Sequence, residues 1–455
     1  MNTDTIVAVA TPAGVGGIAV VRLSGPDALA IALPHLSVST LQARRATYCR
    51  FYNAFSREET EQYIDDGIAI YYPCGYTGEP TVEFSCHGSL YVQQAVVQTL
   101  IDSGARMAEA GEYTLRAFRN GRLNLSQAEA VGDLINAVTP AQHQLAVSQL
   151  RGGYAEELKA LRQQLLDLTS LLELELDFSQ EDVEFADRVQ LRRLLEVASF
   201  RIAELRSTFR MGNALKRGIP TAIIGRPNAG KSSLLNALLA DDRAIVSPIP
   251  GTTRDTVEES FIIDGVTFRL IDTAGLHETA DPLENMGIHR TIAAAVQADM
   301  ILYVHDATQP WTDAIEDLQA LRDQSNVRIG SKHLWIVVNK IDLPEAVEST
   351  QKLGIAVSAL RGTGLEQLRK HMLEAARKDL ADSGQVLLAN ERHYDALGRT
   401  NQALTRVSQG LADGVPADLL AVDLRDALYH LGTITGEVTN DEVLGNIFSR
   451  FCIGK

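Results

Sequence analysis

The chain is poor in cysteine, in tryptophan and in positive charge. Its four cysteines, Cys49, Cys74, Cys86 and Cys452, form no C-x-x-C pair in 455 residues, which argues against both a disulfide framework and a zinc site. A reducing, cytoplasmic compartment is expected. With 42 Lys and Arg against 58 Asp and Glu the formal net charge is -16, so any nucleic-acid partner must be held by a local patch rather than by bulk attraction. Long apolar runs are missing too. The stretch Thr5 to Val21 is preceded by Asp4 instead of a basic flank and is broken by Pro12, Gly14, Gly16 and Gly17. That pattern predicts a buried strand-turn-strand, not a signal peptide or membrane span. Cys452-Ile453-Gly454-Lys455 has the outline of a prenylation box but the wrong residues in its last two places, so no lipid anchor is expected. There is no internal repeat and only one phosphate-binding loop.

What is present is the composition of a folded protein, 45% hydrophobic and 22% charged, long enough for two to four domains. Between Tyr154 and Arg210, Leu158, Leu161, Leu165, Leu168 and Leu172 recur three and four apart, the stripe of a helix that needs a partner. Leu397, Leu404, Val407 and Leu411, then Leu420, Leu424, Ala427 and Leu431, repeat that spacing on the far side of a central α/β stretch. A domain whose ends lie close together can be inserted into such a helical domain without disrupting it. The expected architecture is therefore multidomain α/β. It comprises an N-terminal α+β domain (1–120), a discontinuous α-helical domain (121–215 and 379–455) and an inserted phosphate-loop α/β domain (216–378). In the first of these, short β-rich runs occur at Thr5 to Ala10, Ile18 to Leu23, Ile68 to Tyr72 and Thr81 to Ser85, with a helix near Leu90 to Leu100. Gly14-Val15-Gly16-Gly17 is only loosely like a dinucleotide loop, because the β-branched run after it does not open a helix.

The inserted domain carries the chemistry. Gly225-Arg226-Pro227-Asn228-Ala229-Gly230-Lys231-Ser232 fits G-x-x-x-x-G-K-[ST] after an apolar strand and before a helix opening at Ser233. Glycines let backbone N–H groups curl around phosphate oxygens at a helix N-terminus, Lys231 adds positive charge, and Ser232 offers a hydroxyl to Mg²⁺. Asp272-Thr273-Ala274-Gly275 ends a second apolar strand with a carboxylate for the Mg²⁺ shell and a glycine for the γ-phosphate. Gly251-Thr252-Thr253 lies in a loop that can close on Mg²⁺ only when the γ-phosphate is present, which makes it a switch. Asn339-Lys340-Ile341-Asp342 reads the base, since a carboxylate accepts from two guanine donors at once and adenine has no such pair. Val357-Ser358-Ala359, at the end of another strand, can offer an N–H to the guanine carbonyl. Buried matched hydrogen bonds give roughly 10⁴-fold discrimination, favouring GTP over ATP. Leu276 stands where small signalling GTPases carry the glutamine that orients the attacking water, so that water must be placed by another group.

With those residues in hand, the chain resembles the bacterial tRNA-modification GTPase family called MnmE or TrmE. The likeness runs from end to end. It rests on Thr11-Pro12-Ala13-Gly14-Val15-Gly16-Gly17, Thr77-Gly78-Glu79, Gly121-Arg122-Leu123-Asn124-Leu125-Ser126-Gln127-Ala128-Glu129-Ala130 and Asn446-Ile447-Phe448-Ser449-Arg450-Phe451-Cys452-Ile453-Gly454-Lys455. The resemblance implies an N-terminal domain that binds folate and forms a homodimer. It also implies an MnmG (GidA)-type flavoprotein partner in a heterotetramer, with FAD on that partner only, and a tetrahydrofolate derivative (methylene- or formyl-) as one-carbon donor. The product would be an aminomethyl-type group, of the carboxymethylaminomethyl class, on the wobble uridine of tRNA.

The resemblance also distributes roles. Arg22, Glu83, Arg122 and Lys455 would contact folate. Ser232 and Thr253 would hold Mg²⁺, while Asn228, Ser247, Ile249 and Thr252 would hold K⁺. The GTP contacts would span Asn228 to Ser233, Ser247-Pro248-Ile249-Pro250 through Thr253, Asp272 to Gly275, Asn339, Lys340, Asp342 and Ser358 to Leu360. Lys231 and Glu284 would act in hydrolysis, Glu284 by positioning water. Cys452 is a candidate nucleophile by its placement, with the flavin partner as the other possible carrier of the one-carbon chemistry. The sequence departs from the family pattern at His87-Gly88-Ser89, where a second glycine is usual, and at Pro248 and Pro250, which stiffen the potassium loop. Two other readings stand beside this one. A ribosome-assembly GTPase would usually bring a second nucleotide domain or a recognisable RNA module, and a signalling switch would usually bring a lipidation signal; the sequence offers none of these.

Overall fold

The computed structural model describes residues 4–53, 62–177, 188–240, 260–271, 292–324, 333–346, 353–380, 387–439, 441–449 and 451–454. They fall into two compact units, one of 1–132, 150–155 and 432–455, the other of 133–149 and 156–431.

In the first unit a six-stranded sheet has the order β3-β4-β5-β2-β1-β6. Its strands are β1 (Ile6–Val9), β2 (Gly16–Ser24), β3 (Thr47–Tyr52), β4 (Tyr63–Tyr72), β5 (Thr81–Gly88) and β6 (Arg106–Met107). Neighbours are antiparallel except β1 and β6. Period-2 alternation decides which side is core: on β3, Cys49 and Phe51 are buried, while Tyr48 and Arg50, which alternate with them, are exposed. Cys49, Phe51, Ala69, Phe84, Cys86 and Val21 join one cluster with Val96, Val97 and Leu100 of the helix Leu90–Asp102. Within β4, Gly67 lies so close to β5 that a Cβ there would stand 1.9 Å from the Ser85 carbonyl oxygen.

A charged knot fixes the end of this sheet. Arg116, on the helix Glu112–Arg119, reaches Glu112 at 2.9 Å and Asp4 at 2.8 Å, and Arg106 reaches Glu112 at 2.6 Å. Burial pushes the Glu112 carboxyl up, but its bonds from Arg106 and Arg116 outweigh that and hold it below its usual value.

In the second unit the leucine stripe is buried as its spacing predicts, from Leu158 through Leu172, and so are Leu397, Leu404, Val407 and Leu411 of the helix Glu391–Ala412. That helix packs on Arg188–Ser207. The two parts of the helical region meet where the central domain leaves and re-enters the chain. Phe209 stacks on Tyr394 at 4.4 Å, Arg206 lies over the same ring at 4.4 Å, and the Leu388 N–H donates to the Thr208 hydroxyl at 3.0 Å. Gly212 is small because a Cβ would fall 2.2 Å from the Leu388 carbonyl oxygen. Helices from before and after the inserted α/β stretch thus pack on one another.

The inserted domain has a six-stranded sheet of order β12-β11-β10-β7-β9-β8. Its strands are β7 (Ile219–Ile224), β8 (Ser260–Ile263), β9 (Val266–Leu270), β10 (Met300–Asp306), β11 (His333–Asn339) and β12 (Ile355–Ala356). Pairings are parallel except β8 with β9. A parallel sheet is covered on both faces, and β10 shows it residue by residue. Leu302 and Val304 join a cluster with Leu234 and Leu368, whereas Ile301 and Tyr303 join another with Ala314 and Leu321.

Candidate nucleotide site and the docked C-terminal segment

In a parallel α/β sheet, ligands gather beyond the carboxyl ends of the strands. β7, β10, β11 and β12 end there in the loops that hold Gly225–Ser232, Asp306–Thr308, Asn339–Asp342 and Val357–Leu360. Gly225 (φ +146°) and Gly230 (φ +92°) occupy backbone that a side chain rarely adopts. A Cβ at Gly225 would fall 2.3 Å from the Val304 carbonyl oxygen, and one at Gly230 would fall 2.2 Å from Asn339 Nδ2. Asn228 takes the left-handed region at φ +63°, which asparagine tolerates. Lys231 opens the helix Lys231–Ala240 and turns back, its Nζ donating to the carbonyls of Gly225 (2.8 Å) and Arg226 (2.9 Å). Burial lowers the pKa of that ammonium.

Asn339 ties three loops together. Its Nδ2 donates to the Ala229 carbonyl at 3.1 Å, its Oδ1 accepts from the Ala359 N–H at 3.0 Å, and its carbonyl accepts from the Ala307 N–H at 2.9 Å. The side chain is 2% exposed, so losing any of these bonds would strand a buried polar group at about 1–3 kcal/mol. Lys340 stands at φ +66° and its Nζ meets Asp306 at 2.6 Å. Burial raises the Asp306 carboxyl, yet Lys340 and the Thr308 N–H and hydroxyl bring it below its usual value. The Asp342 carboxyl is lowered by the Ser358 hydroxyl first and by Arg361 after it, whose Nε stands at 3.4 Å. Ser358 is buried, Ala359 presents its N–H to Asn339, and Leu360 is exposed at the mouth. An ionised acceptor at Asp342, a rigid glycine cradle and a buried ammonium can together hold a guanine at one end and polyphosphate at the other.

Of the nucleotide and hydrolysis residues expected from sequence, Asn228 to Ser233, Asn339, Lys340, Asp342 and Ser358 to Leu360 gather at this edge. Ser247 to Thr253, Asp272 to Gly275, Leu276 and Glu284 lie outside the described residues. Two contributors were not singled out from sequence: Asp306, whose placement at the end of the apolar run Met300 to Val304 was the available signal, and Arg361, which has none.

The first unit holds a second constellation. Arg22 on β2 and Glu83 on β5 are cross-strand partners, joined Nε to Oε1 at 2.7 Å. The Arg22 guanidinium lies 5.6 Å from the Tyr113 ring centre and 5.9 Å from that of Tyr76. Beside them comes the C-terminal segment. Leu444 and Phe448 of the helix Asp441–Phe448 pack on Leu125 and Ala128, Ile453 pairs with Ala110, and the Gly454 carbonyl accepts from Arg22 Nη1 at 3.4 Å. Gly454 has φ +99°, and a Cβ there would fall 2.3 Å from the Val9 carbonyl oxygen. Arg122 is exposed with its stem near Gly78, and Cys452 is an exposed free thiol whose carbonyl accepts from the Gly111 N–H at 3.4 Å. Lys455 lies outside the described residues.

The phosphate loop at the carboxyl edge of a parallel sheet, with an Asn-Lys-x-Asp loop beside it, defines a phosphate-loop GTPase, an enzyme that hydrolyses GTP. Residues 5–122 match the family model "GTP-binding protein TrmE N-terminus", and residues 125–452 match "MnmE helical domain". A tRNA modification GTPase MnmE of Flavobacterium johnsoniae is 44% identical over 469 residues, covering 100% of each chain, and one of Christiangramia forsetii is 45% identical over 474, covering 99% of each. The solved G domain of the T. maritima FeoB iron transporter is 25% identical and covers 35% of this chain and 98% of its own, with a TM-score of 0.25. The chain belongs to the MnmE (TrmE) family of tRNA modification GTPases.

Proposed function

We propose that the protein is a potassium-activated GTPase that works as a cytoplasmic homodimer with an MnmG-type flavoprotein to place aminomethyl-type groups on the wobble uridine of tRNA. Family membership across the whole chain carries this reading, together with the intact nucleotide motifs. The domain limits that go with it are 1–120, 121–215, 216–378 and 379–455. Among the described residues no helix is long and apolar enough to cross a membrane.

The residues fit the groups this reading requires. Gly225 and Gly230, with positive φ and no room for a Cβ against Val304 and Asn339, let the loop backbone curl so that its N–H groups can face phosphate oxygens, and Ser232 with Thr253 would hold Mg²⁺. Asn228 with oxygens of Ser247, Ile249 and Thr252 would make an all-oxygen donor set suited to K⁺, whose positive charge would offset the negative charge of the transition state. Arg22, Glu83, Arg122 and Lys455 combine cations for folate carboxylates with an acceptor for pterin donors. When bound, tetrahydrofolate supplies the one-carbon unit. Glu284 would orient water in place of the missing glutamine.

Mass spectrometry of wobble uridines in tRNA from a strain lacking the gene tests the reading. The modified nucleoside should vanish, return with the wild-type gene, and stay absent with Lys231→Ala. An unchanged nucleoside profile in the deletion strain would sink the tRNA function and leave the GTPase class intact.

A further inference from the structure

Arg226 is the second residue of the phosphate loop, and its side chain turns away from the cradle. It meets the helix Trp311–Gln324, which carries Asp313, Glu316 and Asp317 in its first two turns. Arg226 Nε donates to Asp317 Oδ2 at 2.9 Å and Nη2 to Oδ1 at 3.0 Å, a two-pronged pairing. Nη1 lies 2.5 Å from Asp313 Oδ2, Nη2 donates to the Asp313 carbonyl at 3.3 Å, and Glu316 stands at 3.6 Å. Asp317 is held in turn by the Tyr303 hydroxyl, which donates to it at 2.6 Å. Tyr303 is buried on β10 and stands in register with Ile224, the last residue before the loop.

We propose that Arg226 is a positioning residue for nucleotide binding: it anchors the phosphate loop to this helix and offsets part of the helix's acidic charge, so that the loop can receive a triphosphate. The inference rests on the reading that residues 225–232 hold phosphates. Lys231 supports the loop through the Gly225 and Arg226 carbonyls, and those bonds break when its ammonium turns to phosphate. The Arg226 anchor does not depend on them and persists. Without Arg226, the three carboxylates of the helix would lose the loop cation that pairs with them, and salt screens charges closer than a Debye length of about 8–10 Å incompletely. GTP carries one more phosphate charge than GDP, so the penalty falls harder on GTP.

The test measures binding of fluorescent mant-GDP and a non-hydrolysable mant-GTP analogue to the full chain. Arg226→Ala should weaken the GTP analogue about tenfold, equivalent to roughly 1.4 kcal/mol, and GDP less. Neutralising the helix in the same variant, with Asp313→Asn and Asp317→Asn, should restore most of the lost affinity, and Arg226→Lys should keep the GTP-to-GDP ratio near wild type. Undiminished binding by Arg226→Ala would overturn the inference. So would equal weakening of both nucleotides that the neutralised helix fails to rescue. Lys231→Ala separates the two readings: if it binds as wild type, the phosphate-loop reading itself falls.

Discussion

Asp342 shows how much of a binding site depends on the charge state of one atom group. The Ser358 hydroxyl and then Arg361 hold its carboxyl below the usual carboxylate range, so it remains an acceptor throughout neutral and mildly acidic solution. A folded pKa below the ordinary value is lost only as pH falls through it, so Asp342 should cause no loss of GTP affinity between about pH 8 and 5.5. Asp342→Asn substitutes an amide donor where guanine needs an acceptor. Calorimetry should show GTP binding weakened by up to roughly 10⁴-fold and xanthosine triphosphate preferred; undiminished GTP affinity would remove the base-reading role. The loops themselves were legible in the sequence because each is contiguous and each spacing answers to one geometric need, such as the positive φ at Gly225 and Gly230. The supports behind them were not. Lys340 meets Asp306 and Arg226 meets Asp317 across separations that no local pattern encodes.

At the scale of elements, periodicity explains what could be read. The stripe from Leu158 to Leu172 is buried because its 3.6-residue period is self-announcing, and the runs at Thr5 to Ala10 and Thr81 to Ser85 appear as β1 and β5. β3 was missed, since its alternation puts Tyr48 and Arg50 beside Cys49 and Phe51 and gives no continuous apolar run. The seating of residues 451–454 beside Arg22 was not legible from the residues themselves. It depends on Gly454 at φ +99° and on a backbone approach so close that a Cβ would fall 2.3 Å from the Val9 carbonyl oxygen. Gly454→Val should therefore unseat the segment. In equilibrium dialysis, reduced-folate affinity should fall about tenfold or more, as it should for Arg122→Ala and for a chain lacking Lys455. Equal binding by all four proteins would discard the folate pocket.

For the whole molecule, the split helical domain was readable because matching leucine stripes flank an α/β stretch, and the structure supplies the reason at Phe209, Tyr394 and Gly212. How the molecule hydrolyses GTP with Leu276 in place of glutamine is a matter for the proposed assembly. If, as proposed, residues 247–252 close over K⁺, the closure would cost ordering entropy of about 1–2 kcal/mol per residue. A second nucleotide domain, kept at high effective concentration by a dimer, would offset that cost by packing against it. Steady-state GTP turnover should fall at least about tenfold, roughly 1.4 kcal/mol of barrier, when sodium replaces potassium or when Glu284 becomes Ala. Turnover indifferent to both would point instead to an external activator.

The contact between Gly454 and Arg22 also imposes a timetable on the ribosome. Residues 1–132 leave the exit tunnel first, yet the strip of chain that lies along their sheet is translated more than three hundred codons later. At about 5–20 residues per second the early domain waits roughly a quarter of a minute to a minute for it. A nascent chain that stalls after the nucleotide domain would thus carry every phosphate-loop residue and still present its first domain with Arg22 lacking its last neighbour.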